Sequence, residues 1–267
     1  MTARPLDGRT VVVTRAAEQA PGFIELLREA GARIIEAPAI VIAPPASWAP
    51  LDAALRERSR FTWVIFTSVN GVSMVDHRLR DLDLGWPAFA SARVAAIGPA
   101  TAAALEGHGL RVAIVPGEYR AEGLVERLRG VVGEGDRILL PRAAQTRDVL
   151  VTELERLGAD VTEVPAYETR AASSGRDTLR AALAASDIDV VTFTSSSTAR
   201  NFARLFSDDE RRRWLSGVTI ASIGPVTAAT AAEYGLHTSV MPSEYTIPAL
   251  ARAIADHFAH ELMKETS

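Results

Sequence analysis

The side chains of this sequence that could do chemistry are hydroxyls, arginines and one tyrosine, and most of them follow short apolar runs. Six such polar groups occur in chain order: Thr14-Arg15, Thr67-Ser68, Gly98-Pro99-Ala100-Thr101, Pro141-Arg142, Thr194-Ser195-Ser196-Ser197 and Gly224-Pro225-Val226-Thr227. None of them contains an obvious general base. Free backbone N–H groups at helix starts bind anions, and arginine adds bidentate recognition of carboxylates. The six groups therefore predict an anionic ligand.

Each of these residues also has a purely structural interpretation. A serine or threonine where a strand turns into a helix, such as Ser68, Ser195 or Ser196, can cap that helix, and an arginine can form a surface ion pair. Gly98 and Gly224 resemble phosphate loops only weakly, because neither G-x-G-x-x-G nor G-x-x-x-x-G-K-[ST] is present. The recurrence of the polar groups in both halves of the chain favours a binding function for the set.

Tyr167 differs from this pattern because it occurs in only one half. Pro165-Ala166-Tyr167 corresponds to Pro38-Ala39-Ile40 in the first half. A tyrosine hydroxyl stays protonated at neutral pH and can donate to a leaving oxygen, although packing at a hinge is an alternative interpretation. Two other tyrosines recur symmetrically in Pro-x-Glu-Tyr and are interpreted as structural; these are Tyr119 and Tyr245.

The polar groups recur because the chain contains an internal duplication. Arg142 corresponds to Arg15 at an offset of 127 positions, and Thr227 corresponds to Thr101 at an offset of 126. The period is too long for a solenoid repeat and indicates a duplication on the scale of a domain.

The elements that must position these residues alternate along each copy. Short β-branched runs bounded by Gly or Pro are typical of strands buried on both faces, and longer amphipathic stretches separate them. Four glycines follow helical stretches as C-terminal caps do: Gly31, Gly109, Gly158 and Gly235. The pattern predicts an α/β protein with parallel sheets and helices on both faces. In such sheets ligands bind beyond the carboxyl ends of the strands, where this sequence is polar.

The composition excludes several classes of protein. The chain of 267 residues contains no cysteine, which excludes disulfides, thiolate metal sites and a cysteine nucleophile. Its five histidines are scattered, so we expect no metal site. A net charge of −4 argues against a nucleic-acid surface. We expect a soluble cytoplasmic protein, because the sequence has neither an apolar window of about 18 residues nor a secretory signal.

Taken in order, the motifs resemble those of uroporphyrinogen-III synthases over nearly the whole chain. The motifs are Val13-Thr14-Arg15, Phe66-Thr67-Ser68-Val69-Asn70-Gly71-Val72, Ile97-Gly98-Pro99-Ala100-Thr101-Ala102, Leu140-Pro141-Arg142, Tyr167-Glu168-Thr169, Phe193-Thr194-Ser195 and Ile223-Gly224-Pro225-Val226-Thr227-Ala228. The resemblance implies two flavodoxin-like, three-layer α/β domains of similar size, with the active site in a cleft between them. One domain would combine residues 1–38 with 170–267, and the other would comprise 44–165. Two strands, within 38–45 and 165–171, would link them.

The resemblance also implies a reaction and roles for residues. Hydroxymethylbilane would lose its terminal hydroxyl as water and close to uroporphyrinogen III with inversion of the last pyrrole ring, without a cofactor or metal. Tyr167, Thr227 and Thr101 would be catalytic. The implied substrate-binding residues are Thr67, Ser68, Thr194, Ser195, Ser196, Gly98, Gly224, Arg15 and Arg142. The protein would be a monomer that contacts hydroxymethylbilane synthase transiently.

Two other functions stay open at this point. A synthase-like domain could bind a tetrapyrrole or another anionic ligand without catalysis. A different two-domain α/β protein could bind a sugar or a nucleotide.

Overall fold

A computed structural model describes residues 4–146, 148–172, 176–185 and 187–265, and the chain forms two compact units. The first, here called the split unit, consists of Met1–Val41 and Arg170–Ser267. The second, here called the continuous unit, is Ile42–Thr169. No helix among the described residues is long and apolar enough to cross a membrane.

Strands and helices alternate along both units. The strands are β1 (Thr10–Val13), β2 (Arg33–Glu36), β3 (Ile40–Ala43), β4 (Trp63–Phe66), β5 (Arg93–Ala96), β6 (Val112–Ile114), β7 (Arg137–Ala143), β8 (Asp160–Ala171), β9 (Val190–Phe193) and β10 (Thr219–Ser222). The helices are α1 (Pro21–Glu29), α2 (Ala49–Arg56), α3 (Val69–Asp81), α4 (Pro99–Glu106), α5 (Ala121–Leu128), α6 (Val149–Arg156), α7 (Arg176–Ala184), α8 (Ser196–Ala203), α9 (Asp208–Trp214), α10 (Pro225–Ala232) and α11 (Ile247–Glu265).

The split unit contains a parallel sheet with the strand order β10-β9-β1-β2. All four residues of β1 are buried, and they alternate between the two faces of the sheet. Val11 and Val13 pack in a core with side chains of α1 and α11, whereas Val12 packs on the other face with side chains of α7 and α8. The apolar runs that predicted doubly buried strands therefore form the middle layer of three.

The continuous unit has the same arrangement in a six-stranded sheet, β3-β8-β7-β4-β5-β6, whose strands from β8 to β6 are parallel. Side chains of α2, α3 and α4 pack on one face of the sheet. Side chains of α5 and α6 cover the other face. The predicted α/β class with parallel sheets between helices is confirmed.

The two sheets correspond strand for strand. The split unit, read in chain order, has the flavodoxin-like order 2-1-3-4, and an isolated bridge from Ala221 to Val240 stands where a fifth strand would pair. Apart from its edge strand β3, the continuous unit has the order 5-4-1-2-3 when β4 to β8 are numbered along the chain, a circular permutation of the same pattern. The duplication thus leaves each unit with the first two strands of one copy and the later strands of the other.

The glycines predicted to cap helix ends have the backbone conformation that this role requires. The four expected cap glycines adopt positive φ, for example 105° at Gly31 and 95° at Gly158. At Gly31 a side chain would also collide with Asp7, whose Oδ1 lies 2.5 Å from the Cβ position. Glycine is therefore required there both by backbone conformation and by space.

The two segments expected to link the domains lie side by side. β8 runs without interruption through Tyr167 to Ala171, and β3 is its neighbour in the sheet. The second linker is consequently the carboxyl-terminal part of a long strand, which fixes Tyr167 in the sheet of the continuous unit.

Candidate functional site

Each sheet has one place where the connections leave two adjacent strands in opposite directions, and open α/β sheets bind ligands there, beyond the strand ends. In the split unit this place lies between β1 and β9, which are followed by Arg15 and by Thr194-Ser195. In the continuous unit it lies between β7, which contains Arg142, and β4, which Thr67-Ser68 follow. The fold brings these four polar groups to the two switch points, whereas Gly98 to Thr101 follow β5 and Gly224 to Thr227 follow β10, one strand further along each sheet.

Arg15 presents an unusual guanidinium group. The residue is half-buried, its Nε atom is shielded from solvent, and no described residue accepts a hydrogen bond from it or forms an ion pair with it. Burial lowers the pKa of Arg15 from its ordinary value. A charge held out of water without a partner is unfavourable in the free protein, so this group is suited to bind an anion. The neighbouring Thr14 is buried, and its hydroxyl donates to the Thr192 carbonyl at 2.6 Å, a structural role.

Arg142, the counterpart of Arg15 in the second copy, is paired within the protein. It is 3% exposed, and its Nε donates to Oε1 of Glu163 at 2.6 Å. The residue equivalent to Glu163 in the first copy is Glu36, which instead forms an ion pair with Arg28 at 3.7 Å. The different neighbours explain why two equivalent arginines have different electrostatic surroundings.

Two of the three predicted capping serines are helix caps. Ser68 precedes α3, and its hydroxyl accepts a hydrogen bond from the Gly71 N–H at 3.0 Å. Ser195 precedes α8 and forms a reciprocal capping box with Thr198. Ser196 is not a cap, since it is the first residue of the helix. Its hydroxyl donates to a backbone carbonyl.

Tyr167 combines an apolar ring position with a polar contact. The side chain is 7% exposed and belongs to the core of the continuous unit. Its hydroxyl lies 2.9 Å from the hydroxyl of Ser68. Burial raises the pKa of Tyr167, and the hydrogen-bonding side chains of Ser68 and Asn70 act in the opposite direction more weakly. The phenol is therefore protonated at neutral pH and can donate a proton.

Gly98 and Gly224 are N-caps with extended backbones, so their φ angles do not require glycine. A tyrosine ring covers each of them, and the space for a side chain is tight at Gly224 but ordinary at Gly98. A Cβ atom on Gly98 would lie 3.4 Å from Tyr119, and one on Gly224 would lie 3.1 Å from Tyr245. The structural interpretation of the two tyrosines thus gains a physical basis: they cover the glycines at the starts of α4 and α10.

Thr101 and Thr227 lie in the first turns of these two helices. They are 4% and 5% exposed, and no hydrogen bond joins either hydroxyl to another residue in the described part of the chain. Both hydroxyls are therefore available to a ligand that reaches the helix starts. Thr67 and Thr194, which follow β4 and β9, are half-buried.

Comparison with known proteins identifies the family. The family model described as uroporphyrinogen-III synthase HemD matches residues 22–252. The chain belongs to the uroporphyrinogen-III synthase family. It is 40% identical to the uroporphyrinogen-III synthase of Synechococcus elongatus over 95% of this chain and 97% of that protein. It is 34% identical to a putative uroporphyrinogen-III synthase of Methanothermobacter thermautotrophicus, over 92% of this chain and 97% of that protein.

Solved structures of the synthase family share the fold. A mutant uroporphyrinogen-III synthase from Thermus thermophilus superposes with a TM-score of 0.67 at 18% identity, covering 96% of this chain and 99% of that chain. The enzyme from Helicobacter pylori superposes with a TM-score of 0.59 at 19% identity, covering 95% of this chain and 99% of that chain. The family resemblance read from the sequence is confirmed, together with the α/β fold.

Two residues of this family member were not singled out in the sequence. Asn70 acts on the Tyr167 phenol, and Glu163 pairs with Arg142. Asn70 lies within a motif that carried the resemblance, so its position was available as a signal. The position of Glu163 gave no such signal, because Glu163 and Glu36 occupy equivalent places in the two copies.

Proposed function

We propose that the chain is a uroporphyrinogen-III synthase that converts hydroxymethylbilane to uroporphyrinogen III with loss of water and inversion of the last pyrrole ring. Family membership supports the reaction. The observation that carries it to the residues of this chain is the buried, protonated phenol of Tyr167, whose hydroxyl contacts Ser68 at the switch point of the continuous unit.

The reaction requires a proton at the leaving hydroxyl. When the bond between the terminal carbon and its hydroxyl oxygen breaks, the phenol proton of Tyr167 joins that oxygen and water leaves. The electron pair of the pyrrole nitrogen stabilises the carbon as an azafulvene cation. Closure of the macrocycle then releases one proton, which restores the phenol. The protein therefore supplies a proton donor and controls the geometry, and the substrate supplies the stabilisation of charge.

The substrate carries several carboxylates, and the polar strand ends are suited to hold them. Arg15 offers a guanidinium without a partner among the described residues, and a charged hydrogen bond contributes about 1.5–3 kcal/mol. The other proposed contacts are hydroxyls and backbone N–H groups at Thr67, Gly98, Thr101, Thr194, Ser195, Ser196, Gly224 and Thr227. Arg142 is a further proposed contact, which would bind through its Nη groups while its Nε donates to Glu163.

Thr101 and Thr227 are proposed to act on the reacting part of the substrate, because these largely buried residues lie at helix starts and their hydroxyls have no intramolecular partner among the described residues. A hydroxyl there can orient the leaving group or the closing ring by hydrogen bonding. Their alanine variants should lower kcat more than they raise KM.

The decisive experiment incubates the protein with freshly prepared hydroxymethylbilane and separates the product isomers. We expect the type III isomer from the native chain. The Tyr167→Phe variant, which keeps the ring but lacks the donor, should lose about 100-fold in kcat, at the lower end of general acid catalysis. Exclusive formation of the symmetric type I isomer by the native chain, which arises spontaneously, would show a ligand-binding protein without catalysis.

We also propose that the chain works in the cytoplasm and receives its substrate through transient contact with hydroxymethylbilane synthase. The spontaneous closure of hydroxymethylbilane to the type I isomer supports a short transfer. A competition assay can test this contact. Addition of an inert protein should not change the ratio of type III to type I product, whereas addition of an inactive hydroxymethylbilane synthase variant that binds the chain should change this ratio.

A further inference from the structure

The starts of α3 and α8 are equivalent in the duplication but use their cap serines differently. In the split unit, Thr198 fills the position that Gly71 has in the continuous unit. The Ser195 hydroxyl accepts from the Thr198 N–H at 3.1 Å, and the Thr198 hydroxyl bonds back to the Ser195 N–H at 3.1 Å. In the split unit the cap serine is thus paired with a residue of the helix that it caps.

The cap in the continuous unit has a different partner. With glycine at position 71 there is no side chain to complete the box, and the Ser68 hydroxyl lies 2.9 Å from that of Tyr167. A Cβ atom at Gly71 would lie 3.3 Å from the Pro141 carbonyl oxygen and 3.5 Å from the Ser68 hydroxyl. The space beside the Pro141 carbonyl is therefore tight, and glycine at position 71 brings no hydroxyl that could bond to Ser68 in place of Tyr167.

From this geometry we infer that Ser68 is a positioning residue that acts through Tyr167, and not a ligand of a substrate carboxylate. The inference rests on the proposed function of the Tyr167 phenol as the proton donor.

The hydrogen-bonding capacity of Ser68 makes the role specific. A hydroxyl has one hydrogen and two lone pairs, and one lone pair of Ser68 already accepts the Gly71 N–H. When Ser68 donates its hydrogen to the Tyr167 oxygen, the phenol hydrogen points away from Ser68 and is available to the substrate. The same bond stabilises the tyrosinate that remains after proton transfer, and the side chain of Asn70 acts in the same direction.

The test compares serine variants at two helix caps. Ser68→Ala should lower kcat by about tenfold, the value of one neutral hydrogen bond, with KM changed by no more than about twofold. Ser207→Ala removes the cap of α9, a helix that contains no predicted site residue, and should leave the kinetics unchanged. Ser68→Thr, which keeps the hydroxyl, should restore most of the rate.

A spectroscopic measurement separates this inference from the proposed function. Tyrosine labelled with ¹³C at the phenol carbon reports the hydrogen bond at neutral pH, and the Tyr167→Phe variant assigns the signal among the four tyrosines. Ser68→Ala should shift the Tyr167 signal, and Ser195→Ala should not. An unmoved signal in Ser68→Ala, or a raised KM with unchanged kcat, would overturn the positioning role. A shifted signal in a protein that forms only the type I isomer would refute the enzymatic proposal alone.

Discussion

Replacement of Arg15 by methionine should make the protein more stable and a poorer enzyme. The methionine side chain retains the apolar stem that packs near β1, and it removes a guanidinium whose Nε has no partner among the described residues. A buried polar group without a hydrogen bond costs about 1–3 kcal/mol, so its removal should not destabilise the fold. Since Arg15 is only partly buried, we expect the free energy of unfolding to rise by about 1 kcal/mol.

The equivalent replacement of Arg142 provides the matched control. Arg142 is 3% exposed and hydrogen-bonded to Glu163, whose side chain is 37% exposed. Its loss would leave the Glu163 carboxylate without this partner, and partial access to water would limit the penalty. We expect Arg142→Met to lower the free energy of unfolding by about 1–3 kcal/mol. The two equivalent substitutions should therefore change stability in opposite directions.

The effect of Arg15→Met on the reaction follows from the lost contact with the substrate. One charged hydrogen bond contributes about 1.5–3 kcal/mol, which corresponds to a loss of about 10- to 150-fold in kcat/KM, carried mainly by KM. Urea unfolding with linear extrapolation gives the stabilities, and initial rates with hydroxymethylbilane give the kinetic constants.

The reasoning would be refuted if Arg15→Met were destabilised as much as Arg142→Met and kept native kinetics. That combination would mean that Arg15 has a structural partner. An intermediate KM in Arg15→Lys would support a carboxylate contact, because lysine keeps the charge but loses the bidentate geometry.

Two further predictions concern the stability of the fold. Gly224→Ala should be less stable than Gly98→Ala by about 1 kcal/mol in thermal unfolding, because its Cβ would lie 3.1 Å from Tyr245. Overpacking costs about 1–3 kcal/mol where the ring cannot move freely. Equal stabilities of the two variants would contradict this prediction. Asp52 accepts two hydrogen bonds from Arg78, which hold its pKa below the ordinary value of 3.8. Asp52→Asn should therefore cost about 1 kcal/mol at pH 7, and in urea unfolding at a series of pH values the difference from the native chain should disappear as the pH falls from 3.8 through the lowered pKa.

The strands and helices could be predicted well because the duplication repeats the sequence signals of each element in both copies. Gly31 and Gly158 cap equivalent helices, and Ser68 and Ser195 begin equivalent helices, so each position supported the other. The parallel sheets followed from short apolar runs that are buried on both faces. Family membership followed from the order of the motifs, which no single motif could establish.

The electrostatic surroundings of the site could not be predicted in the same way. Arg15 and Arg142 are indistinguishable by position, yet Arg142 is paired with Glu163 while Arg15 has no partner among the described residues. In the first copy Arg28 forms an ion pair with Glu36, and the residue equivalent to Arg28 in the second copy is Glu155, which offers no cation to Glu163. A contact of this kind depends on side chains that approach each other only after the sheet has formed.

The duplication also shows why Tyr167 has no equivalent on the other sheet. In sequence its counterpart is Ile40, which begins β3 and thus belongs to the six-stranded sheet as well. β8 continues through Tyr167 beside β7, so the phenol reaches Ser68 at the neighbouring switch point. The cap at Ser195 is instead closed by Thr198. We therefore expect the Ile40→Tyr, Tyr167→Phe double variant to be as inactive as the Tyr167→Phe variant. Restored activity in the double variant would show that proton donation does not depend on the contact with Ser68.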